Sequence, residues 1–127
     1  MEKLKISVRI NCTPKEVFLA WLSDKEHSDF TGGKFAKTSQ SEGGSFSVYD
    51  NYISGTNVEI IPYRRIIQKW RTSDFSPEEE DSVVDITFTF KESNTIIVLT
   101  HTKIPDNLGE VLRKFWKEKY FMFMKQS

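Results

Sequence analysis

Cysteine is nearly missing from this sequence of 127 residues, in which Cys12 is the only one. A single cysteine forms no internal disulfide, so packing alone must stabilise the fold, as is usual in a reducing compartment. Histidine is also scarce, because His27 and His101 are the only two and lie far apart in the chain. Neither a metal site nor a cofactor is therefore expected.

An excess of charge of one sign and a long apolar run are missing too. Basic and acidic residues number 18 each, which leaves no net field to attract a polyanion, so neither nucleic acid nor a membrane is an expected partner. No apolar stretch approaches the roughly 20 residues that cross a bilayer, and the start of the chain has no apolar signal core. These absences predict a cytoplasmic protein.

No linker, repeat or low-complexity tract divides the chain. Its length is typical of one domain, so a single domain over residues 1–127 is expected. The acidic residues concentrate once, between Asp74 and Asp81, where the sequence predicts a solvated loop.

Alternation of apolar and polar residues predicts six β-strands. In the first strand, Leu4, Ile6, Val8 and Ile10 alternate with polar residues. Short turns join most of the others, which favours an antiparallel meander. The ranges predicted for these five are Ser45–Tyr49, Tyr52–Ile61, Arg65–Thr72, Ser82–Lys91 and Thr95–Thr102.

Helices are predicted before and after the meander. Thr13-Pro14-Lys15-Glu16 has the residues of a capping box with proline at the first helical position, and Ser23-Asp24-Lys25-Glu26 repeats the pattern, so two short helices should follow the first strand. From Leu108 onward the apolar residues share one broad helical face, which predicts a long C-terminal helix packed on the sheet. That face comprises Leu108, Val111, Leu112, Phe115, Trp116, Tyr120, Met122 and Phe123.

Three residues of this helix fall on a face of opposite character when they are placed at 3.6 residues per turn. Phe121 and Met124 fall on the otherwise charged face, and an exposed apolar pair there predicts a monomer or a weak homodimer. Lys119 falls among the apolar residues, where it either extends past the sheet edge to water or pairs with an internal acceptor.

Several rarer residues resemble those of a known family. In chain order they are Gly43-Gly44-x-Phe46, Ser54-Gly55, Pro62, Ile66-Ile67-x-x-Trp70-Arg71, Ile104-Pro105 and Trp116-x-x-x-Tyr120-Phe121 with Lys125. Their order and spacing, from about Ile6 to Lys125, are similar to the C-terminal domain of activators of the heat shock protein 90 ATPase.

The resemblance implies an α+β helix-grip fold of the START-like (SRPBCC) superfamily. In that fold a curved antiparallel six-stranded sheet wraps around a long C-terminal helix, with two short helices after strand 1. Members of the superfamily commonly bind apolar molecules between helix and sheet. The full activators also carry a separate N-terminal domain that docks on the chaperone, so the resemblance implies that the present chain alone stimulates the ATPase little.

The inner face of the predicted sheet gathers candidate ligand-binding residues. Gln68 and Trp70 share strand parity, and an interior glutamine needs a backbone group, a water or a ligand as its partner. His101 is a core histidine, a ligand contact or a catalytic base. The aromatic members of the set either line a pocket or fill the core. The whole set is Phe46, Gln68, Trp70, Phe88, His101, Trp116 and Tyr120.

Three functions are compatible with these observations. The first is a non-enzymatic module that binds a small hydrophobic ligand in an apolar cavity between sheet and helix. The alternative is a chaperone-associated stress-response protein that acts through its surface. The second alternative is an enzyme with His101 as acid or base, which is the least favoured, and no catalytic residue is assigned. Cys12, just before a helix, is either a small buried residue or an activated nucleophile.

Overall fold

An antiparallel sheet of seven strands is the framework of the computed structural model, which describes residues 1–122 and 124. In space the order is β1-β7-β6-β5-β4-β3-β2, so strands β2 to β7 neighbour one another in sequence order and β1 lies beside β7. The strands are β1 (Glu2–Ile10), β2 (Ala36–Lys37), β3 (Ser45–Val48), β4 (Ile53–Ile61), β5 (Arg65–Thr72), β6 (Ser82–Lys91) and β7 (Asn94–Ile104).

Three helices complete the described part of the fold. Helices α1 (Pro14–Trp21) and α2 (Asp24–Phe30) connect β1 to β2. After β7, α3 (Gly109–Phe115) continues directly as a π-helical segment (Trp116–Phe121), called the π-turn below. The predicted α+β fold, with an antiparallel meander and a C-terminal helix, is confirmed. The predicted strand count is too low by one, because the two residues of β2 are too few for alternation to reveal a strand.

The first predicted capping box forms completely, and at the second helix only the side-chain bond of the N-cap serine forms. The Thr13 hydroxyl accepts a hydrogen bond from the Glu16 N–H at 3.2 Å, and the Glu16 carboxylate accepts one from the Thr13 N–H at 3.0 Å. At the start of α2, the Ser23 hydroxyl accepts from the Glu26 N–H at 3.3 Å. Because these bonds satisfy backbone donors that have no partner within the helix, they fix where α1 and α2 begin.

The π-turn changes which side chains face the core. Its i to i+5 hydrogen bonds accommodate one residue more than an α-helical turn, so later side chains are displaced around the helix axis. Phe121 and Met124 are buried, and their predicted exposure is wrong for this reason. Met122, predicted on the apolar face, is instead 53% exposed, and Lys119 extends into water.

Val111 and Phe123 are also predicted on the apolar face, and their outcomes differ. Val111 is 53% exposed, because α3 turns the neighbouring Leu112, about 100° around the axis, towards the sheet. Phe123 lies outside the described residues, as does Lys125 of the family pattern. Within residues 1–122 and 124, no helix is both long enough and apolar enough to cross a membrane.

Candidate functional site

The three tryptophans meet between the sheet and the C-terminal helix, with Trp116 at the centre. Trp116 stacks on Trp21 with 6.2 Å between ring centroids and contacts Trp70 at 5.4 Å and Tyr120 at 4.8 Å. Aromatic pairs in such arrangements stabilise a core by more than their buried area alone. Because the three indoles belong to α1, β5 and the π-turn, their contacts join three elements of the fold.

Phe46 lines the same inner space as Trp70 and Tyr120, and its ring lies against Gly55, which has no side chain. Phe46 and Gly55 are opposite each other in the β3–β4 ladder. A Cβ at position 55 would lie 2.7 Å from Cζ of Phe46 and 1.9 Å from the carbonyl oxygen of Lys69. The Ser54-Gly55 element of the family pattern therefore has a packing role, since only glycine leaves room for the ring.

A directed chain of hydrogen bonds passes through His101. The Trp116 indole donates to Nδ1 of His101 at 3.1 Å, and Nε2 of His101 is 2.7 Å from the Ser82 hydroxyl, which donates to the Trp70 carbonyl oxygen at 2.7 Å. An indole N–H only donates, so Nδ1 is the acceptor and Nε2 carries the proton. Burial lowers the pKa of His101 to about 3, which keeps the ring neutral at physiological pH.

His27 forms a second chain with the opposite tautomer. Its Nδ1 is 2.8 Å from the Trp21 carbonyl oxygen, and its Nε2 is 2.9 Å from the Tyr120 hydroxyl. Because a carbonyl oxygen only accepts, Nδ1 carries the proton and Tyr120 donates to Nε2. Burial lowers the pKa of His27 to about 4 and raises that of Tyr120 far above its ordinary value. Both buried histidines therefore accept a hydrogen bond from the C-terminal helix.

Gln68 has a side-chain partner inside the protein. Its amide donates to the Asn57 side-chain oxygen at 2.9 Å, and the Asn57 amide donates to the carbonyl oxygens of Ser39 at 2.8 Å and Ser41 at 3.3 Å. The partner is thus a neighbouring side chain, which none of the predicted options named. This chain ties β4 and β5 to the loop before β3.

The space beside this network is small. A cavity of about 10 Å³ remains between α1, α2, the sheet and the π-turn, which is room for one water molecule at most. Four of the seven candidate residues line it, namely Phe46, Gln68, Trp70 and Tyr120. His101 and Trp116 contact the ring of Trp70 from behind that wall. Ligand binding by these residues stays a prediction.

Phe88 lies apart from the other candidate residues. Its ring contacts Phe18 of α1 at 5.9 Å, and Phe18 in turn contacts Tyr63 of the β4–β5 turn at 5.4 Å. Strand parity places Phe88 on the inner face correctly. Parity cannot show that α1, and not the C-terminal helix, covers that end of the sheet.

Three polar residues of the site, Asn57, Ser82 and His27, are not predicted from the sequence. Asn57 is opposite Gln68 in the β4–β5 ladder, but the register shifts between Asn57 and Glu59, so counting back from the turn would have given Val58. Ser82 is opposite Trp70 in the β5–β6 ladder, across a connection too long to set the register by counting. His27 offered no local signal either, because its partner Tyr120 lies 93 residues along the chain.

Catalysis by His101 has little geometric support. The ring is fully buried, and both of its nitrogens are engaged by Trp116 and Ser82. A general base must reach the proton that it removes, and neither nitrogen is free to do so. In the part of the chain that the structure describes, no group of three histidine, cysteine or carboxylate side chains could hold a metal ion.

Cys12 is half-buried at the edge of an open surface groove of about 470 Å³, which Ile10, Glu16 and Phe30 also line. Burial raises the pKa of the thiol, and the charge of Glu16 raises it further. A nucleophilic cysteine needs a lowered pKa, so the nucleophile hypothesis for Cys12 has no support here.

Comparison with known proteins places this arrangement in a family. The family model described as activator of Hsp90 ATPase homolog 1-like protein matches residues 11–126. The chain belongs to this family. The resemblance seen in the sequence is thereby confirmed.

Individual relatives agree with that assignment. The human activator of 90 kDa heat shock protein ATPase homolog 1 is 26% identical over 125 residues, which are 98% of this chain and 36% of the human protein. The chain thus spans about a third of that relative's length. The solved structure of an HSP90 activator from Plasmodium falciparum has a TM-score of 0.83 and 27% identity, covering 96% of this chain and 91% of that chain.

One more solved structure shares the fold. The Aha1 dimer from Colwellia psychrerythraea has a TM-score of 0.72 at 12% identity, covering 92% of this chain and 87% of that chain. At this identity the likeness concerns the fold alone.

Proposed function

We propose that this chain is a chaperone-associated stress-response protein that binds a chaperone of the heat shock protein 90 class through its surface. Family membership over residues 11–126 carries this proposal. The filled interior supports it, because a cavity of about 10 Å³ offers no room for an internal ligand, whereas surface binding needs none. The sequence-based alternative is therefore favoured over the cavity hypothesis.

Calorimetric titration of the purified 127-residue chain into a purified heat shock protein 90 tests the proposal. We expect saturable binding with a dissociation constant on the order of micromolar, in at least one nucleotide state of the chaperone. We expect little change in ATPase turnover, because the chain matches only 36% of the human activator. Titrations without heat at two temperatures, in the apo, ATP-analogue and ADP states, would contradict the proposal, because burial of an interface makes the binding enthalpy depend on temperature.

An apolar ligand in the core stays a prediction with its own test. Such a ligand must touch at least one indole, because Trp21 and Trp70 line the cavity and Trp116 packs on Trp70. Fatty acids and flat aromatic compounds should then change tryptophan fluorescence in a saturable way. A flat titration across both classes would contradict it.

Location and assembly are part of the proposal. The single cysteine supports a cytoplasmic location. We expect a monomer or a weak homodimer, and light scattering between about 10 and 200 µM tests this. The structural relative from Colwellia psychrerythraea is described as a dimer.

A further inference from the structure

The sheet has an outer face that points away from the aromatic core. One row of paired residues across it runs from Lys5 on β1 through Thr100 on β7 and Asp85 on β6 to Ile67 on β5. We define the outer face as this row together with the residues two positions away on each of these strands. All of its members are exposed or half-buried, whereas the residues that alternate with them are buried.

The Asp85 carboxylate of the outer face pairs with an arginine of the same face. Asp85 is the only acidic member on these four strands, and it accepts two hydrogen bonds from the Arg65 guanidinium, from Nε at 2.9 Å and from Nη2 at 2.5 Å. Glu59 of β4, opposite Ile67, borders the face and adds a second carboxylate near Arg65. Such two-point pairs orient both groups and leave little charge for a partner. The centre of the face is therefore close to neutral.

Positive charge remains around that neutral centre. Lys3, Lys5 and Lys69 belong to the outer face, are exposed, and have no ion-pair partner among residues 1–122 and 124. The chain as a whole has equal numbers of basic and acidic residues. The outer face thus has an excess of three positive charges, which the bordering Glu59 of β4 reduces to two.

Apolar β-branched side chains lie between these lysines. Val98, Ile67 and Val83 are half-buried on the outer face, and Val83 is opposite Lys69 in the ladder. A modestly apolar centre with a charged rim is the composition of a protein–protein interface. Lysines at the rim act mainly by steering an oppositely charged partner and by setting the salt dependence of binding.

We propose that the outer face docks an acidic protein surface on the chaperone partner. This inference rests on the proposed function and names the surface that performs it. A nucleic acid or an anionic membrane fits less well, because phosphates against this face would leave Ile67 and Val98 without apolar partners.

Charge reversal tests the surface directly. The double variant Lys5→Glu/Lys69→Glu changes the outer face, and Lys25→Glu/Lys117→Glu makes the same change of charge on exposed lysines of α2 and the π-turn. Both are titrated into purified heat shock protein 90 at 50 and 200 mM salt. Thermal unfolding of each variant shows that the fold is retained.

We expect the outer-face variant to weaken binding by at least about tenfold at 50 mM salt and to reduce the salt dependence, with the control within about twofold of the parent chain. Equal effects of the two variants on a chain that does bind would overturn the outer-face assignment alone. Failure of the parent chain to bind would overturn the proposed function as well. Binding of anionic vesicles or duplex DNA that the outer-face variant abolishes would assign the face to a polyanion, against this proposal.

Discussion

Glu2, at the start of β1, caps α3 by accepting a hydrogen bond from the backbone N–H of Gly109 at 2.7 Å. Its second carboxylate oxygen accepts from the N–H of Asn107 at 3.1 Å. Leu108 occupies the N-cap position and makes no side-chain capping bond. The first strand therefore fixes where the helix begins, and with it the positions of the residues that enter the core from the π-turn.

Removing this cap should destabilise the protein. Glu2→Ala is expected to lower the free energy of unfolding by about 1–2 kcal/mol, since helix N-terminal amides lose an acceptor and the helix dipole loses a nearby negative charge. Urea denaturation measures the loss. Glu2→Gln, which keeps one acceptor oxygen, should cost less, and Lys3→Ala controls for strand propensity. Equal losses for Glu2→Ala and Lys3→Ala would show that the cap contributes nothing.

Tyr120→Phe should be costly although it removes only one oxygen. The hydroxyl is the donor to Nε2 of the buried His27, so its loss leaves a buried acceptor without a partner. Such a change costs about 1–3 kcal/mol. Thermal or urea unfolding checks this, with Tyr49→Phe as the control, because Tyr49 is half-buried and its ring packs on Phe115 at the edge of the core. Similar losses for both variants would contradict the assigned donor.

Stability should fall as the pH decreases from neutral. Burial lowers the pKa of His27 to about 4 and that of His101 to about 3, both from an ordinary 6.5. The unfolded chain therefore binds protons at a higher pH than the folded one. Stability is full above about pH 6.5 and is lost as the pH falls towards the folded pKa values.

The expected loss is about 2–4 kcal/mol between pH 7 and pH 5, from about 1.4 kcal/mol per pH unit for each histidine. Urea unfolding at half-unit intervals measures it. In His27→Gln the slope should fall by about half. A parent chain with constant stability between pH 7 and pH 5.5 would contradict the assignment of two neutral buried histidines.

Arg71 anchors the acidic loop that the sequence predicts to be solvated. Its Nη1 donates to the Asp81 carboxylate at 2.9 Å and to the Glu79 carbonyl oxygen at 3.2 Å, and its Nη2 donates to the Ser76 carbonyl oxygen at 3.0 Å. A lysine cannot reproduce this fork. Arg71→Lys should therefore speed hydrogen exchange of residues 74–81 several-fold, while global stability changes by less than about 1 kcal/mol.

The matched control is Arg65→Lys, which alters a similar pair with Asp85 on the same sheet. It should leave exchange in residues 74–81 at the parent rate. Equal acceleration of that loop by both variants would mean that charge on the sheet, not the fork of Arg71, orders it.

The sequence predicts strand parity well because burial on one face imposes it. Gln68, Trp70 and His101 lie inward as expected, since a shift of one residue would expose the whole inner face. Partners are harder to predict when contact depends on distant elements. The bond between His27 and Tyr120 joins α2 to the π-turn, and no local pattern encodes it.

The helical prediction failed at a definite place and for a definite reason. Angles calculated with a constant 3.6 residues per turn place Leu112 and Trp116 correctly in the core, although Val111, at the border of the predicted face, is exposed. Beyond Trp116 they misplace Phe121, because no propensity rule predicts where a helix admits an extra residue.

The π-turn should also be visible in the evolutionary record of the family. Relatives whose terminal helix is uninterrupted need one residue fewer between Trp116 and Phe121 to present the same side chains to the sheet. An alignment guided by structure should accordingly contain a single-residue gap in that interval. Alignments forced through it without the gap would match Phe121 and Met124 with surface positions in those relatives, and the divergence of the C-terminal segment would be overstated.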